Sequence, residues 1–313
     1  MKQLVSIIIT TYSRSKFIEK AITSALYQTY TNTEIIIVDD NAENINEREK
    51  TKKIVNKYKD KVIYIENEKN LGAALSRNVG VKRAQGKFIA FLDDDDEYEK
   101  NKIQEQYDLY MQHKENAGLI YCAYYIIDNN ERVIGKYENN GSNLLYDNMI
   151  TCIAPTSLWF CPKHVIEECG LFEKSPRMED SILILKILLK GYKIYKVPKE
   201  LVFYREHEDD SRMSGLKIVN IEGLLNYRRI CRKYYSCLTK KEKKNVEYNF
   251  SKQLVTLYTL NGMKMEALKE TIHMIMQNPL NKNNLFAIYK ICFTNLYKRK
   301  IRRAKYDNKK NNS

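Results

Sequence analysis

The fold is indicated first by the stretch FIAFLDDDD at residues 88–96. An apolar run as long as a buried strand ends abruptly there in four adjacent carboxylates, Asp93 to Asp96. Such carboxylates repel one another unless a positive charge lies close to them. Because carboxylate oxygens are hard ligands, the run predicts a site for Mg²⁺ or Mn²⁺, ions that commonly bridge to phosphates. The alternative interpretation is a solvated acidic turn.

Similar apolar runs occur upstream, separated by segments with helical periodicity. We predict strands at 5–9, 35–38, 62–65 and 88–92, and helices at 14–28, 46–58 and 71–84. This alternation predicts a Rossmann-like α/β domain, with a mostly parallel sheet covered by flanking helices. Ligands of such sheets bind beyond the carboxyl ends of the strands. Three polar clusters follow strands, so we expect them at one edge: Thr10 to Tyr12, Asp39 with Asp40, and Asp93 to Asp96.

The pattern changes after about residue 100. Further strands are predicted at 119–124, 193–197 and 201–204, with a helix that opens near 178–180 and runs to Lys190. Residues 128–150 are rich in Asn and Gly and are expected to form a mobile excursion. From about 216 onward the chain has a helical pattern without a strand signal. We therefore place the α/β domain at 1–215 and a helical C-terminal region with a basic tail at 216–313.

Composition constrains where the protein works. The seven cysteines are odd in number and form no CxxC pair, which is typical of a reduced, intracellular chain. The first apolar stretch is too short for a signal sequence, and no segment approaches the ~20 apolar residues that cross a bilayer. We therefore expect a cytoplasmic protein, or one held peripherally on the inner face of the membrane.

Positive charge is concentrated at the C-terminus. The net charge is +14, and residues 281–313 contain ten Lys or Arg against one acid. An apolar helical stripe precedes the basic end and consists of Leu285, Ile288, Tyr289, Cys292 and Leu296. One interpretation is an amphipathic helix on an anionic membrane surface. The alternative is a helix packed on its own domain, followed by a solvated end.

Several motifs in a fixed order carry a family resemblance that covers about residues 3–210. They are VSIIITTY at 5–12, QTY at 28–30, IVDDN at 37–41, NLG at 70–72, SRN at 76–78, FLDDDD at 91–96, GLF at 170–172, ED at 179–180 and YREH at 204–207. In this order they resemble the family 2 glycosyltransferases, which have the GT-A fold. A lone DxD motif would be weakly diagnostic, because acidic triplets are common. The sequence departs from the family at Ser181-Ile182-Leu183, where an aromatic residue and an acid often follow the Glu-Asp pair.

The resemblance implies an inverting, metal-dependent glycosyltransferase. Such an enzyme moves a sugar from a UDP-sugar to a glycan or lipid-linked saccharide, here in cell-surface or capsular polysaccharide synthesis. Asp95 is expected to bind Mn²⁺ or Mg²⁺ directly, with Asp93 supporting it. The resemblance places His207 near the diphosphate, as a second metal ligand or a donor to phosphate.

Donor binding is assigned to six residues by the same resemblance. These are Thr10, Tyr12, Asp40, Arg77, Asp94 and Arg205. Asp40 would accept a hydrogen bond from uracil, with Thr10 and Tyr12 completing the base pocket. Arg77 could reach a phosphate or the base, Asp94 would contact the ribose or sugar, and Arg205 would neutralise the leaving group. The alternatives are a merely packed Tyr12 and a surface salt bridge at Arg77, while Asp96 is expected to cap the following helix.

Asp180 is the candidate general base. It is expected at a helix start, where the helix dipole favours the anion, and Glu179 beside it would raise the upper pKa of the pair. The alternative for Asp180 is a helix N-cap. With one base and no covalent nucleophile, a single in-line displacement with inversion is expected.

Two other functions are open to this sequence. A nucleotidyltransferase that makes nucleotide sugars has a related fold, but it usually carries a Gly-rich phosphate loop that residues 10–13 lack. A basic protein could instead bind nucleic acid or a membrane without catalysis. We expect no nucleic-acid partner, because the chain outside the tail matches no nucleic-acid-binding module.

Overall fold

The computed structural model describes residues 2–139, 141, 143–207 and 219–294. The chain divides into two compact units. We call one the α/β unit, which comprises Met1–Asn148, Cys152–Lys174 and Glu179–Glu206. We call the other the helical unit, which comprises Met149–Thr151, Ser175–Met178 and His207–Ser313. The predicted boundary at 215/216 lies outside the described residues and stays a prediction.

The described part of the α/β unit is built on one nine-stranded sheet. Its strands are β1 Val5–Thr11, β2 Thr33–Asp39, β3 Ile63–Glu66, β4 Phe88–Asp93, β5 Glu97–Tyr98, β6 Ala117–Ile127, β7 Val133–Tyr137, β8 Phe160–Pro162 and β9 Lys193–Arg205. They lie in the order β3-β2-β1-β4-β8-β6-β9-β5, and β7 pairs with β6.

The first four strands confirm the predicted parallel arrangement. Each of β3, β2, β1 and β4 pairs in parallel with its neighbour, and every residue of β1 is buried. Such continuous burial explains why these strands read as unbroken apolar runs. In register, Thr10 lies opposite Asp93, while Thr11 lies opposite Asp39. The polar residues that follow these strands therefore meet at one edge, as predicted.

The remaining strands make the sheet mixed. β8 pairs antiparallel with β4 and β6, whereas β6 and β9 are parallel. The prediction of two strands at 193–197 and 201–204 is wrong, because β9 runs unbroken through Pro198. A register shift in the pairing with β6 accommodates this proline. The expected mobile excursion is also wrong in part, because residues 128–150 include β7 and a helix at Leu144–Ile150.

Helices cover the sheet and continue to the end of the described chain. They are α1 Ser15–Leu26, α2 Ile45–Val55, α3 Ala73–Arg83, α4 Lys102–Gln112, α5 Leu144–Ile150, α6 Lys163–Glu168, α7 Glu179–Leu189, α8 Val219–Arg232, α9 Lys240–Leu260, α10 Lys264–Gln277 and α11 Asn283–Cys292. Helix α3 packs closely on β1 at Gly80, where an added Cβ would come within 2.4 Å of Ile8 Cγ2. This contact sets α3 against the strand whose end carries the polar edge.

The helical pattern predicted for the C-terminal region is confirmed over 219–294. A small core joins α9, α10 and α11 through Tyr248, Val255, Met274 and Ala287. Helix α9 begins with a capping box between Thr239 and Glu242. Within the described residues, none of the helices combines the length and hydropathy needed to cross a bilayer.

The predicted apolar stripe of the tail faces outward in part. Leu285 is 73% exposed and Ile288 is also exposed, whereas α11 buries Ala287 and Lys290. The helix therefore packs through a different face from the one that the apolar spacing indicates. The rest of the basic tail, from residue 295 onward, lies outside the described residues.

A buried ion cluster links α8 and α9 in the helical unit. Glu247 accepts hydrogen bonds from Arg228, Arg232 and the hydroxyl of Tyr235, at 2.6–2.9 Å. Burial alone would raise the pKa of Glu247, but hydrogen bonds from Arg232, Arg228 and Tyr235 together lower it to about 2. The ionised carboxylate is thus favoured by the folded state.

We expect this carboxylate to make the helical unit acid-sensitive. Because its folded pKa lies below the unfolded value, its contribution is complete above about pH 4.5 and is lost as pH falls towards 2. Glu247→Gln should cost ~2 kcal/mol of unfolding free energy at pH 7, less than the full pKa shift implies because Arg232 is half-exposed.

The measurement is urea denaturation followed by far-UV circular dichroism between pH 7 and pH 2. The difference in unfolding free energy between the wild type and Glu247→Gln should become smaller as the pH falls. Glu266→Gln, on α10 outside this cluster, is the matched control. A difference that stays constant with pH would show that Glu247 acts through packing alone.

Candidate active site

The site begins at the carboxyl ends of β1 and β4. Asp93 ends β4, and Asp94, Asp95 and Asp96 follow in the turn before β5. The carboxylates of Asp93, Asp94 and Asp95 lie close to two arginines from other segments. Asp96 instead accepts hydrogen bonds from Ser157 and from the backbone of Arg205. Tertiary contacts therefore give four chemically identical side chains different surroundings.

Arg14, just before α1, neutralises two of these carboxylates. Its Nη1 lies 2.5 Å from Asp95 Oδ2 and 3.5 Å from Asp94 Oδ1. Asp94 is buried and also accepts a hydrogen bond from the backbone N–H of Tyr12 at 3.1 Å. Burial and the adjacent Asp95 raise the pKa of Asp94 to about 8, against the opposing effect of Arg14. The turn formed by Asp94 to Asp96 is therefore anchored to the loop after β1.

Asp96 is a structural residue rather than a helix cap. Its Oδ2 accepts a hydrogen bond from Ser157 Oγ at 2.6 Å, and its Oδ1 accepts one from the backbone N–H of Arg205 at 2.9 Å. Burial and the neighbouring Asp95 and Asp93 raise its pKa well above the ordinary value. The next α-helix begins only at Lys102. The expectation that Asp96 caps the following helix is therefore wrong, because its carboxylate is hydrogen-bonded to residues remote in sequence.

Arg77 joins the end of β4 to the start of α7. This buried guanidinium lies 2.7 Å from Asp93 Oδ1 through Nη2 and 3.0 Å from Glu179 Oε1 through Nη1. The alternative of a surface salt bridge is wrong, because α3 holds Arg77 in the interior. Burial and the neighbouring Asp180 raise the pKa of Glu179, while Arg77 opposes the rise. The aspartate turn and the Glu-Asp pair are thus linked by a single cation.

Asp180 lies in the first turn of α7, next to Glu179 and partly accessible. Its Oδ1 accepts a hydrogen bond from the backbone N–H of Ser181 at 2.6 Å. Its Oδ2 lies 3.1 Å from the Cys152 thiol, which donates to it. Burial and Asp180 raise the pKa of this thiol well above its usual range, so Cys152 remains a neutral donor. These two contacts hold the carboxylate in one orientation.

Asp39 and Asp40 organise the loops beside β2. Asp39 Oδ1 accepts a hydrogen bond from the N–H of Asn41 at 2.7 Å. Both oxygens of Asp40 accept backbone N–H groups, from Leu71 and Gly72, each at 2.8 Å. Asp40 therefore shapes the loop before α3. Its predicted contact with a uracil ring stays a prediction, since a carboxylate can accept further hydrogen bonds.

Thr10 and Tyr12 lie at the carboxyl end of β1. Thr10 is buried, but Tyr12 is 48% exposed. The alternative of a merely packed Tyr12 therefore does not describe this residue. An exposed aromatic ring beside the polar edge is available to stack on a ligand.

Arg205 is the last residue of β9, and His207 follows two positions later. The Arg205 guanidinium is buried and donates to the carbonyl oxygens of Asp95 and Asp128 and to Glu97 Oε1, at 2.8–3.0 Å. Its observed role is therefore to brace the turn after β4, and its contact with a donor stays a prediction. His207 is buried and belongs to the helical unit. Its assignment as a metal ligand also stays a prediction.

Sequence reasoning missed Arg14 and Cys152. Arg14 lies only two residues beyond the quoted β1 motif, and a lone arginine after a strand could have been considered as a counterion for the aspartate run. Cys152 had no such signal, because the contact with Asp180 joins residues 28 positions apart. Only the tertiary structure brings the thiol to the carboxylate.

The carboxylate chemistry of Asp93 and Asp95 suits a divalent cation whose remaining ligands come from a substrate. Asp93 and Asp95 offer carboxylate oxygens, the ligands that Mg²⁺ and Mn²⁺ prefer. Within the described ranges no group of three or more His, Cys, Asp or Glu side chains is arranged to hold a metal. Two carboxylates suffice where phosphates and water complete the coordination. Arg14 would have to leave Asp95 Oδ2 for the cation to bind there.

The sheet and its acidic edge are those expected of a glycosyltransferase with the GT-A fold, and comparison with known proteins confirms this class. The family model "Glycosyl transferase family 2" matches residues 6–165. The chain belongs to this family. An Escherichia coli relative, the UDP-Glc:alpha-D-GlcNAc-diphosphoundecaprenol beta-1,3-glucosyltransferase WfaP, is 33% identical over 269 residues, which cover 78% of this chain and 99% of WfaP.

Solved structures share the fold. Staphylococcus aureus TarS in complex with UDP-GlcNAc has a TM-score of 0.58 at 17% identity, covering 89% of this chain and 93% of that one. The mannosyltransferase PcManGT from Pyrobaculum calidifontis, in complex with GDP-Man and Mn²⁺, has a TM-score of 0.56 at 16% identity, covering 93% of this chain and 87% of that one. These likenesses confirm the predicted GT-A fold.

The predicted enzyme class is therefore confirmed: the protein is a glycosyltransferase. Family membership decides against the two alternatives, a nucleotidyltransferase and a binding protein without catalysis.

Proposed function

We propose that this enzyme transfers a sugar from a UDP-sugar to a saccharide or lipid-linked saccharide acceptor, with inversion and with the aid of Mn²⁺ or Mg²⁺. The observation that carries the proposal is the Arg77 bridge, which links Asp93 to Glu179 across 3.0 Å or less on each side. It supports a single site in which the donor-side carboxylates and the candidate base act on the same substrate pair.

Donor binding is supported by the loops around β1 and β2. The exposed Tyr12 ring can stack on a base, and the backbone around it is tied to Asp94. Asp40 shapes the adjacent loop and retains acceptor capacity for a uracil N–H. The name of the relative WfaP specifies UDP-Glc as its donor. We infer a uridine nucleotide for this chain on these grounds.

Metal binding is assigned to Asp95, with support from Asp93. A bound Mn²⁺ or Mg²⁺ would supply Lewis-acid stabilisation of the diphosphate leaving group. Arg14, once released from Asp95, has a guanidinium suited to a phosphate oxygen. Asp94 is assigned to the ribose or sugar of the donor, and burial together with the adjacent Asp95 raises the pKa of its carboxyl group.

Acceptor activation is assigned to Asp180. Its carboxylate takes the proton of the acceptor hydroxyl as that oxygen attacks the anomeric carbon and the bond to UDP breaks. The Cys152 thiol orients Oδ2, while Glu179 is held by Arg77. One base and a direct displacement account for inversion, so that an α-linked donor yields a β-linked product.

The acceptor is inferred to be lipid-linked. WfaP is named for an acceptor with an undecaprenol-linked diphosphate, and it matches this chain over 99% of its own length. An acceptor of this kind is consistent with cell-surface or capsular polysaccharide synthesis at the inner face of the membrane. A chain that uses it would associate with that face peripherally.

Calorimetry of nucleotide binding tests the donor and metal assignments together. UDP should bind the full chain more tightly with Mn²⁺ than without it, and more tightly than GDP or dTDP. Asp95→Asn should reduce the Mn²⁺-dependent gain about tenfold or more, which corresponds to about 1.4 kcal/mol, because it removes a carboxylate from the metal.

The matched control is Asp108→Asn, which removes an exposed carboxylate from α4. It should bind UDP and Mn²⁺ as the wild type does. If Asp95→Asn retains the full Mn²⁺ effect, the assignment of Asp95 is wrong. If no nucleoside diphosphate shows any Mn²⁺-assisted binding, the proposed metal dependence is wrong.

A further inference from the structure

A cationic cleft lies between α8 and α10 in the helical unit, with a volume of about 490 Å³. Most of its lining side chains carry or can carry positive charge. The positively charged or titratable basic residues are Arg228, Arg229, Arg232, Lys269 and His273. Leu225 and Glu270 complete the lining. The transferase chemistry described above uses none of them.

Part of the cleft is held rigidly by acidic partners. Arg228 is buried, with Nη2 lying 2.6 Å from Glu247 and Nη1 lying 2.8 Å from Glu270. Arg232 also bonds Glu247, at 2.6 Å. These contacts order one wall of the cleft, and the two carboxylates balance the charges of Arg228 and Arg232, so the charge available to a ligand comes from other side chains.

The cleft nevertheless keeps an excess of positive charge. Glu247 and Glu270 face Arg228 and Arg232, whereas Arg229 and Lys269 are exposed. In the part of the chain that the structure describes, neither Arg229 nor Lys269 forms an ion pair. The planar guanidinium group of Arg229 next to the ammonium group of Lys269 suits a phosphate. The cleft therefore favours an anionic ligand.

An apolar stripe runs along the adjacent side of α10. It consists of exposed residues spaced three or four apart: Met265, Leu268, Ile272 and Met276. Ile272 is 52% exposed and Met276 is 70% exposed, although the opposite side of the same helix buries Ala267, Thr271 and Met274. A large apolar surface beside a phosphate-binding cleft is the pattern of a helix that lies at a membrane surface.

We propose that α8 and α10 bind the phosphate headgroup of an anionic membrane lipid, with the apolar stripe resting against the acyl chains. This extends the proposed use of a lipid-linked acceptor but does not rest on which sugar is transferred. It assigns membrane contact to described residues, apart from the basic tail.

Other occupants fit these observations less well. A free phosphate would leave the apolar stripe without a partner. A second copy of the chain, docked symmetrically, would bring one positive surface against another, which is unfavourable. A single-stranded nucleic acid would be expected to stack on aromatic side chains, and the stripe has none.

The test is co-sedimentation of the full chain with phosphatidylcholine vesicles, with and without phosphatidylglycerol. The wild type should bind the anionic vesicles preferentially. Arg229→Glu combined with Lys269→Glu should weaken this binding about 30-fold, because two cations near the surface become anions. Ile272→Gln combined with Met276→Gln should weaken it about tenfold by removing apolar surface.

A matched charge reversal elsewhere on the helical unit distinguishes specific binding by the cleft from a general effect of net charge on vesicle binding. Lys241→Glu combined with Lys244→Glu makes the same change at exposed positions of α9 and should have a much smaller effect. Equal losses for the two charge variants would overturn the proposal. Binding of inorganic pyrophosphate without vesicle binding, or a dimer that protects α10, would overturn it as well.

A separate measurement distinguishes this proposal from the proposed function. UDP binding with Mn²⁺ should be unchanged in all three double variants, because their substitutions lie in the helical unit outside the assigned donor site. Loss of vesicle binding with intact UDP binding in the α8–α10 variants supports the proposal that the cleft binds a lipid headgroup. Intact vesicle binding in the α8–α10 variants contradicts it, whatever the transferase assay shows.

Discussion

Replacing Asp180 with Asn is expected to lower kcat about 10²–10⁴-fold while leaving UDP affinity nearly unchanged. The amide keeps the size of the side chain and can still accept the Ser181 N–H through its oxygen. It cannot take a proton from the acceptor hydroxyl. The loss should therefore fall on the chemical step, because the donor-side contacts of Asp94, Asp95 and Tyr12 are not altered.

The assay is UDP release from UDP-sugars in the presence of saccharide-diphosphate-lipid acceptors, together with calorimetry of UDP binding. Glu173→Gln is the control, since it removes an exposed carboxylate from the segment before α7, where Glu173 pairs with Lys186 of that helix. It should leave kcat within about twofold of the wild type, as expected for a surface substitution. Full activity in Asp180→Asn would exclude the base role, and a collapse of UDP affinity would make Asp180 a structural residue.

Replacing Arg77 with Met is expected to destabilise the α/β unit by about 3–5 kcal/mol. The substitution keeps much of the aliphatic volume beside Phe172 but removes the cation between Asp93 and Glu179. Glu179 would then be buried next to Asp180 without its counterion. The cost arises chiefly from this uncompensated carboxylate rather than from the loss of the ion pair alone.

The same substitution should introduce a pH dependence of known sign. Burial and Asp180 already raise the folded-state pKa of Glu179, and loss of Arg77 would raise it further. The folded state then holds a proton that the unfolded chain releases, so stability falls as pH rises. Arg77→Met should accordingly be more destabilising at pH 8 than at pH 5.

Urea denaturation followed by fluorescence reports on this unit directly, because Trp159 is the single tryptophan and is buried within it. Adding Glu179→Gln to Arg77→Met should recover part of the lost unfolding free energy and make the remaining loss less dependent on pH. Lys52→Met, which removes an exposed pair with Glu66, should have little effect. A loss independent of pH would show that Arg77 acts by packing alone.

Much of the α/β fold could be predicted because its signals are local. The runs at 5–9, 35–38 and 88–92 are apolar on both faces, so only a sheet covered on both sides can bury them. The later elements were harder to predict. β7 forms on an Asn- and Gly-rich stretch because it pairs with β6, and β9 continues past Pro198 because a register shift absorbs the proline.

The sequence alone determined which residue types reach the polar edge, since parallel strands carry their following residues to the same side. It could not determine how those residues pair. Asp93, Asp95 and Asp96 have the same side chain, yet one contacts Arg77, one contacts Arg14 and one is buried against Ser157. Strand ends depend on near neighbours in the chain, whereas the partner of a charge depends on distances between side chains remote in sequence, and only the tertiary structure sets those distances.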